Sequence, residues 1–201
     1  MPDKDFLLIY GCGGHARSAI DILVHDQPDI SICIIDDQAK PNEVIAGFPA
    51  FREGKSGSRF FLAIGDNYKR AEALRTKPEQ NLISIISSKS HIGKHATIAR
   101  GVFVGNFVHI GPEAAVGMNS IINNGAVVEH EVQIGAHCHI GPNVSISGRC
   151  KVDDFVFVGV GSTIIDYISI CSNVIIGAGS VVVQNISEPG TYIGSPAKKI
   201  R

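Results

Sequence analysis

Seventeen aliphatic residues stand six apart without a slip in register: Ile86, Ile92, Ile98, Val104, Ile110, Val116, Ile122, Val128, Ile134, Ile140, Ile146, Val152, Val158, Ile164, Ile170, Ile176 and Val182. A six-residue step matches neither the 3.6-residue period of a helix nor the two-residue alternation of a strand. It matches short strands joined by tight corners, each side turning one β-branched side chain inward. Three such sides close a triangle, so one coil takes 18 residues, residues 18 apart stack, and the ladder spans between five and six coils. The fourth residue after a ladder position is small or β-branched, as at Ala96, Ala114, Ser120, Ala126, Cys138, Val144, Cys150, Ser162 and Ser180. The residue directly after it is often Gly, as at Gly93, Gly105, Gly111, Gly117, Gly135, Gly141, Gly159 and Gly177. An ordinary β-sandwich does not hold such a step for so long. Residues 86–201 are therefore expected to form a parallel solenoid with a C-terminal tail.

Composition agrees with a chain that turns often around a narrow interior. Glycine supplies 22 of 201 residues, aromatics only 6 %, and Trp is absent. Lys and Arg total 18 against 19 Asp and Glu, a net charge of −1, so there is no electrostatic footprint for nucleic acid or for an anionic membrane. Residues 167–187 carry no charge, yet Ser169, Ser172, Asn173, Gln184 and Asn185 interrupt them and they obey the six-residue step, so no membrane insertion is expected. The apolar run 6–10 after Met1–Asp5 is too short for a signal-peptide core. Five cysteines (Cys12, Cys33, Cys138, Cys150, Cys171) form no CxxC pair and read as small buried hydrophobes in a reducing cytoplasm.

Residues 1–85 have a different grammar. The apolar run 6–10 leads into Gly11-Cys12-Gly13-Gly14-His15-Ala16, after which Ala16, Ala19, Ile20, Leu23 and Val24 recur at helical spacing. Strand, glycine turn and helix in this order form a G-x-G-x-x-A pattern, in which backbone amides at a helix N-terminus face a phosphate. A second strand over 30–35 ends at Asp36-Asp37, where an acid can meet a ribose or base edge. A third over 60–64 runs into Gly65-Asp66-Asn67, followed by a helix over 68–76 and a strand over 82–86. A two-half dinucleotide domain needs roughly 150 residues. The 85 here suit a Rossmann-like unit for one nucleotide-like ligand, here a nucleotide sugar, or a purely structural strand–helix unit.

Histidines gather beyond residue 90. His91 and His109 are 18 apart and should stack, as a metal pair or as solvated side chains. In Val128-Glu129-His130-Glu131 an imidazole sits between two carboxylates, the arrangement a general base near neutral pH requires, or a merely polar corner. His139 follows nine residues later, half a coil away.

The fusion of a short glycine-turn α/β unit to a hexapeptide solenoid resembles the NeuD/PglD-like sugar acetyltransferases of the sialic-acid and bacillosamine pathways. The likeness rests on Gly11-Cys12-Gly13-Gly14-His15, Asp36-Asp37, Ile64-Gly65-Asp66-Asn67, Val128-Glu129-His130-Glu131, His139 and Gly194-Ser195-Pro196-Ala197-Lys198. It implies a left-handed parallel β-helix and a homotrimer with acetyl-coenzyme A between neighbouring solenoids. His130 would be the base and Glu131 its orienting partner. His139, Val160 and Ala178 would contact the coenzyme. Gly13, Gly14 and His15 would hold the phosphates of the nucleotide sugar, Asp36 and Asp37 its nucleoside, and Asn67 and Asn123 would contact the acceptor. Asp66 stands where the family often has Asn, and Ala178 where it often has Gly.

The expected activity is direct acetyl transfer, without metal, from acetyl-CoA to the amino group of a nucleotide-linked (UDP) 4-amino-dideoxy sugar. Cys138 fits an inward position better than a nucleophile's. Alternatives are O-acetylation of a sialic acid, a γ-class-like carbonic anhydrase with zinc held by three histidines, and a non-catalytic nucleotide-binding protein. Two coils beyond His91, His95 and His109 stand Val127, Glu131 and Ser145.

Overall fold

In the computed structural model, which describes residues 6–53 and 59–201, the chain divides into the units Met1–Ile85 and Ile86–Arg201. The first is built on a sheet of β1 (Leu7–Tyr10), β2 (Ile32–Ile35), β3 (Val44–Ile45), β4 (Phe48–Phe51) and β5 (Arg59–Leu62) in the order β3-β4-β2-β1-β5. β1 pairs in parallel with β2 and β5, so their carboxyl ends lie along one edge. The helix α1 (Gly14–Asp26) turns Ala16, Ala19, Ile20, Ile22 and Leu23 inward, where they are buried. A second helix, α2 (Asn67–Arg75), starts at the expected place.

Two segments depart from expectation. The hairpin β3–β4 has no clear alternating signal, because Val44 and Phe51 are exposed and Pro49 stands inside it. Residues 82–86 are not one strand. A 3-10 turn over Glu79–Asn81 precedes a single bridge from Leu82 to Phe60, and the chain then extends only over Ile85–Ile86.

The second unit is the solenoid. Its strands, mostly two residues long, stack in parallel on three sides with partners 18 apart, such as Val127 with Ser145 and His139 with Phe157. The ladder residues from Val104 onward are buried in one continuous core. Ile86 is 41 % exposed and Ile92 and Ile98 are half-buried, because the first coil stacks on a neighbour at one side only.

The small residues at the inward corners carry a second device. Ser120 Oγ donates to Gly135 O at 2.9 Å and Ser162 Oγ to Gly177 O at 2.9 Å; the thiols of Cys138 and Cys150 donate to Asp153 O and Ile165 O at 3.1 and 3.0 Å. In each case a buried donor satisfies a carbonyl fifteen residues on, which would otherwise face the apolar core. Cys138 and Cys150 are thus buried as expected but also bond, whereas Cys12, Cys33 and Cys171 are only half-buried.

One corner of the coil is tightened by residues in the left-handed backbone region. Glu113, Glu131, Arg149 and Tyr167 have φ of 62°, 60°, 61° and 63°, although each bears a side chain. The conformation costs about 1 kcal/mol per residue. It is held by inter-coil bonds from Glu131 N to Pro112 O, Arg149 N to His130 O and Tyr167 N to Gly148 O at 3.0, 3.0 and 3.1 Å.

Candidate functional site

The glycine turn lies at the carboxyl edge of the parallel strands, where open α/β sheets receive ligands. Gly11, with φ of 111°, lies so close to Ala63 that a Cβ would stand 2.7 Å from its carbonyl oxygen. Gly13 caps α1 without a side-chain bond, and a Cβ on Gly13 or Gly14 would meet nothing within 4 Å. The side of Gly13 and Gly14 at the start of α1 is thus unobstructed, as a phosphate cradle requires. His15 is half-buried beside the Phe61 ring, 5.9 Å between centroids.

The two neighbouring acids differ. Asp36 accepts from the Cys12 amide through Oδ2 and from the Gln38 amide through Oδ1, both at 2.8 Å, so it braces the turn. Burial pushes its pKa up, but hydrogen bonds from the Gln38 amide and from the Cys12 thiol and amide outweigh burial and hold it below the ordinary carboxylate value. Burial, and then Asp36 itself, push the Cys12 thiol up to about 11. Asp37 is exposed and is the acid left facing outward.

The turn after β5 is tied down by a residue that its sequence context does not advertise. Arg70, 1 % exposed, donates to Ile64 O and Gly65 O at 2.9 and 3.1 Å and to Asn67 Oδ1 at 2.9 Å. Asn67 is accordingly buried, with its side-chain oxygen engaged inside the unit. Asp66 caps α2 by accepting from the Lys69 amide at 2.8 Å.

In the solenoid, His130 and Glu131 meet as anticipated. His130 Nδ1 donates to Glu131 Oε2 at 2.8 Å, and Arg149 donates to the same oxygen at 3.0 Å. The hydrogen bond from His130, and then the charge and hydrogen bond of Arg149, hold the Glu131 pKa below its ordinary value despite some desolvation. An ionised Glu131 accepting from Nδ1 leaves the lone pair of neutral His130 on Nε2. Among the described residues nothing donates to that atom. The ring lies over Gly148, one coil later, where a Cβ would stand 2.6 Å from both Cε1 and Nε2.

His139 lies on a different side of the triangle, opening the strand His139–Ile140. Asn123 Nδ2 donates to its Nε2 at 3.3 Å, and the ring meets Phe157 edge-on at 5.2 Å. The structure therefore joins Asn123 with His139 and His130 with Glu131, as two separate pairs. Val160 and Ala178 are both exposed on successive coils, joined where Gly179 N donates to Val160 O at 2.9 Å. His91 and His109 stack with rings 5.2 Å apart and 6° from parallel. Among the described residues, no three or more His, Cys, Asp or Glu side chains are grouped so as to hold a metal ion. Arg149 and Gly148 were open to discovery from spacing alone: each stands 18 residues after a member of the His130–Glu131 pair.

An α/β unit with a glycine turn, followed by a hexapeptide solenoid, is the plan of a hexapeptide acyltransferase. Residues 6–76 match the PglD N-terminal domain, and residues 113–148 match the bacterial transferase hexapeptide (six repeats). A mutant of perosamine N-acetyltransferase from Caulobacter crescentus in complex with CoA and GDP-perosamine is 32 % identical, with 96 % of each chain covered and a TM-score of 0.89. The acetyltransferase domain of PglB from Neisseria gonorrhoeae (23 % identity, 98 % of this chain and 100 % of that one, TM-score 0.91) shares the fold. So does WeeI from Acinetobacter baumannii (19 % identity, 97 % and 99 %, TM-score 0.89). A comparison with curated protein sequences gave no significant match. The chain belongs to the PglD/NeuD-type sugar acetyltransferases, and its solenoid is their left-handed parallel β-helix.

Proposed function

We propose that this acetyltransferase moves the acetyl group of acetyl-CoA onto the amine of a nucleotide-linked 4-amino-dideoxy sugar, with His130 as the base. The observation that carries the reading is the 32 % identity over 96 % of both chains to a protein that binds CoA and GDP-perosamine. The unobstructed glycines Gly13 and Gly14 at the N-terminus of α1 support the phosphate end of such a substrate, with His15 beside them and Asp37 facing the nucleoside. Asp36 acts there by bracing the turn, and Asn67 through the turn that Arg70 fastens. Val160 and Ala178 supply an exposed strip on adjacent coils for the pantetheine arm.

The acceptor attacks the thioester as the neutral amine, because an ammonium group has no lone pair, and it sheds one N–H proton on becoming the amide. The Nε2 lone pair of His130 takes a proton from the acceptor as its nitrogen bonds to the acetyl carbon. The electron pair of the C–S bond leaves with sulfur, and the imidazolium returns its proton to that thiolate. A backbone amide holds the oxyanion between these steps. Glu131, ionised, stabilises the transient imidazolium. Asn123 and His139 form a second polar pair, which the acetyl carrier reaches at the boundary between neighbouring solenoids of a homotrimer. No helix among the described residues is long and apolar enough to cross a membrane, and the free cysteines suit the reducing cytoplasm, where we place the reaction.

The test is release of free thiol from acetyl-CoA with UDP- and GDP-linked amino sugars and with free sialic acids as acceptors. The reading expects acetylation of a nucleotide-linked amine. Acetylation of sialic acid hydroxyls alone, or no thiol release with any acceptor, overturns it.

A further inference from the structure

Arg149 is held at both ends. One arm of its guanidinium donates to Glu131 Oε2 at 3.0 Å, and the other donates to the Tyr167 hydroxyl at 2.9 Å, with the Tyr167 ring 5.4 Å from the guanidinium carbon. Glu131, Arg149 and Tyr167 are one residue per coil on the same left-handed corner, so the backbone aligns them as a column. Exposed pairs of this kind add little to stability, and Glu131 and Arg149 have side chains 40 % and 45 % exposed. Their effect falls on geometry and on charge. The oxygen that receives Arg149 is the one that receives His130, so fixing Glu131 fixes the tilt of the imidazole and the tautomer it carries.

We propose that Arg149, backed by Tyr167, is a positioning residue for the transfer reaction. It clamps Glu131 so that His130 presents an unprotonated Nε2 to the acceptor amine. The proposal rests on His130 being the base. Without Arg149, Glu131 Oε2 keeps only the imidazole as its donor, and neither the tilt nor the tautomer of the ring is fixed.

Arg149→Met, Arg149→Lys and His130→Ala are to be compared with the parent by thiol release across pH, using the best acceptor of the panel above. The ring-nitrogen NMR shifts of His130 report its tautomer independently of any acceptor. Arg149→Met is expected to lower kcat about tenfold and leave both KM values within about twofold. The His130 ring should lose the single tautomer it holds in the parent. Arg149→Lys keeps the charge without the fork, so kcat should recover only in part. A parental kcat and an unchanged His130 tautomer in Arg149→Met, with His130→Ala inactive, overturn the role of Arg149 alone. Parental turnover in His130→Ala overturns the base assignment and the clamp with it.

Discussion

The imidazole of His130 rests on the bare backbone of Gly148, with Cε1 and Nε2 both 2.6 Å from where a Cβ would be. The obstacle that a methyl group there would meet is a half-exposed side chain rather than backbone. Gly148→Ala is therefore expected to turn the ring aside and leave the coil intact. Turnover should fall about 10- to 100-fold, since a misplacement near 1 Å is enough to cost that much. The thermal midpoint should stay within a few degrees of the parent's. A loss of stability with unaltered turnover per folded molecule would contradict this packing.

Asp36 predicts an acid sensitivity in the first unit. Its pKa is lowered from 3.8 on folding, so its contribution to stability is complete above the unfolded value and disappears as pH falls through the folded one. Asp36→Ala removes the acceptor of two backbone amides, which should cost about 1–3 kcal/mol at neutral pH. The variant's stability should also fall less steeply than the parent's below about pH 4. Urea titrations at neutral and acid pH read both effects; parallel curves for the two proteins would rule the brace out.

The inward corners offer an isosteric test. Serine at 120 and 162 and cysteine at 138 and 150 perform the same bond to a carbonyl fifteen residues on. Ser162→Cys should be nearly neutral, whereas Ser162→Ala removes the hydroxyl that donates to Gly177 O and accepts from the Ser180 amide, and should cost about 1–2 kcal/mol. Equal stabilities for the two variants in chemical denaturation would show that the bond contributes nothing.

Much of the solenoid was legible in the chain because its period is set by a shape that repeats. Once Val104, Ile122 and Ile140 define a coil, the stacking of His91 on His109 follows by counting. Counting also places Gly148 and Arg149 beside the His130–Glu131 pair, yet a local motif search passes over them, because contacts 18 residues apart leave no local pattern. The first unit was harder. The bonds from the Cys12 and Gln38 amides to Asp36 leave no mark in the chain, and Arg70 sits in a polar helix among Tyr68, Lys69 and Glu72, where nothing distinguishes a buried guanidinium from a solvated one. The burial of Ile86, Ile92 and Ile98 was overestimated, since periodicity reports direction and not the presence of a second layer.

The stacked corner also governs which changes in length the molecule tolerates. Six extra residues inserted between Glu131 and Gly148 would keep every aliphatic residue pointing inward, and the spool would still wind. They would nevertheless carry glycine and arginine one side round the triangle, away from the ring and carboxylate they support. A whole added lap would return them to the right side but one coil too far off, so loops can grow outward from the coils while the thread between base and support keeps its length.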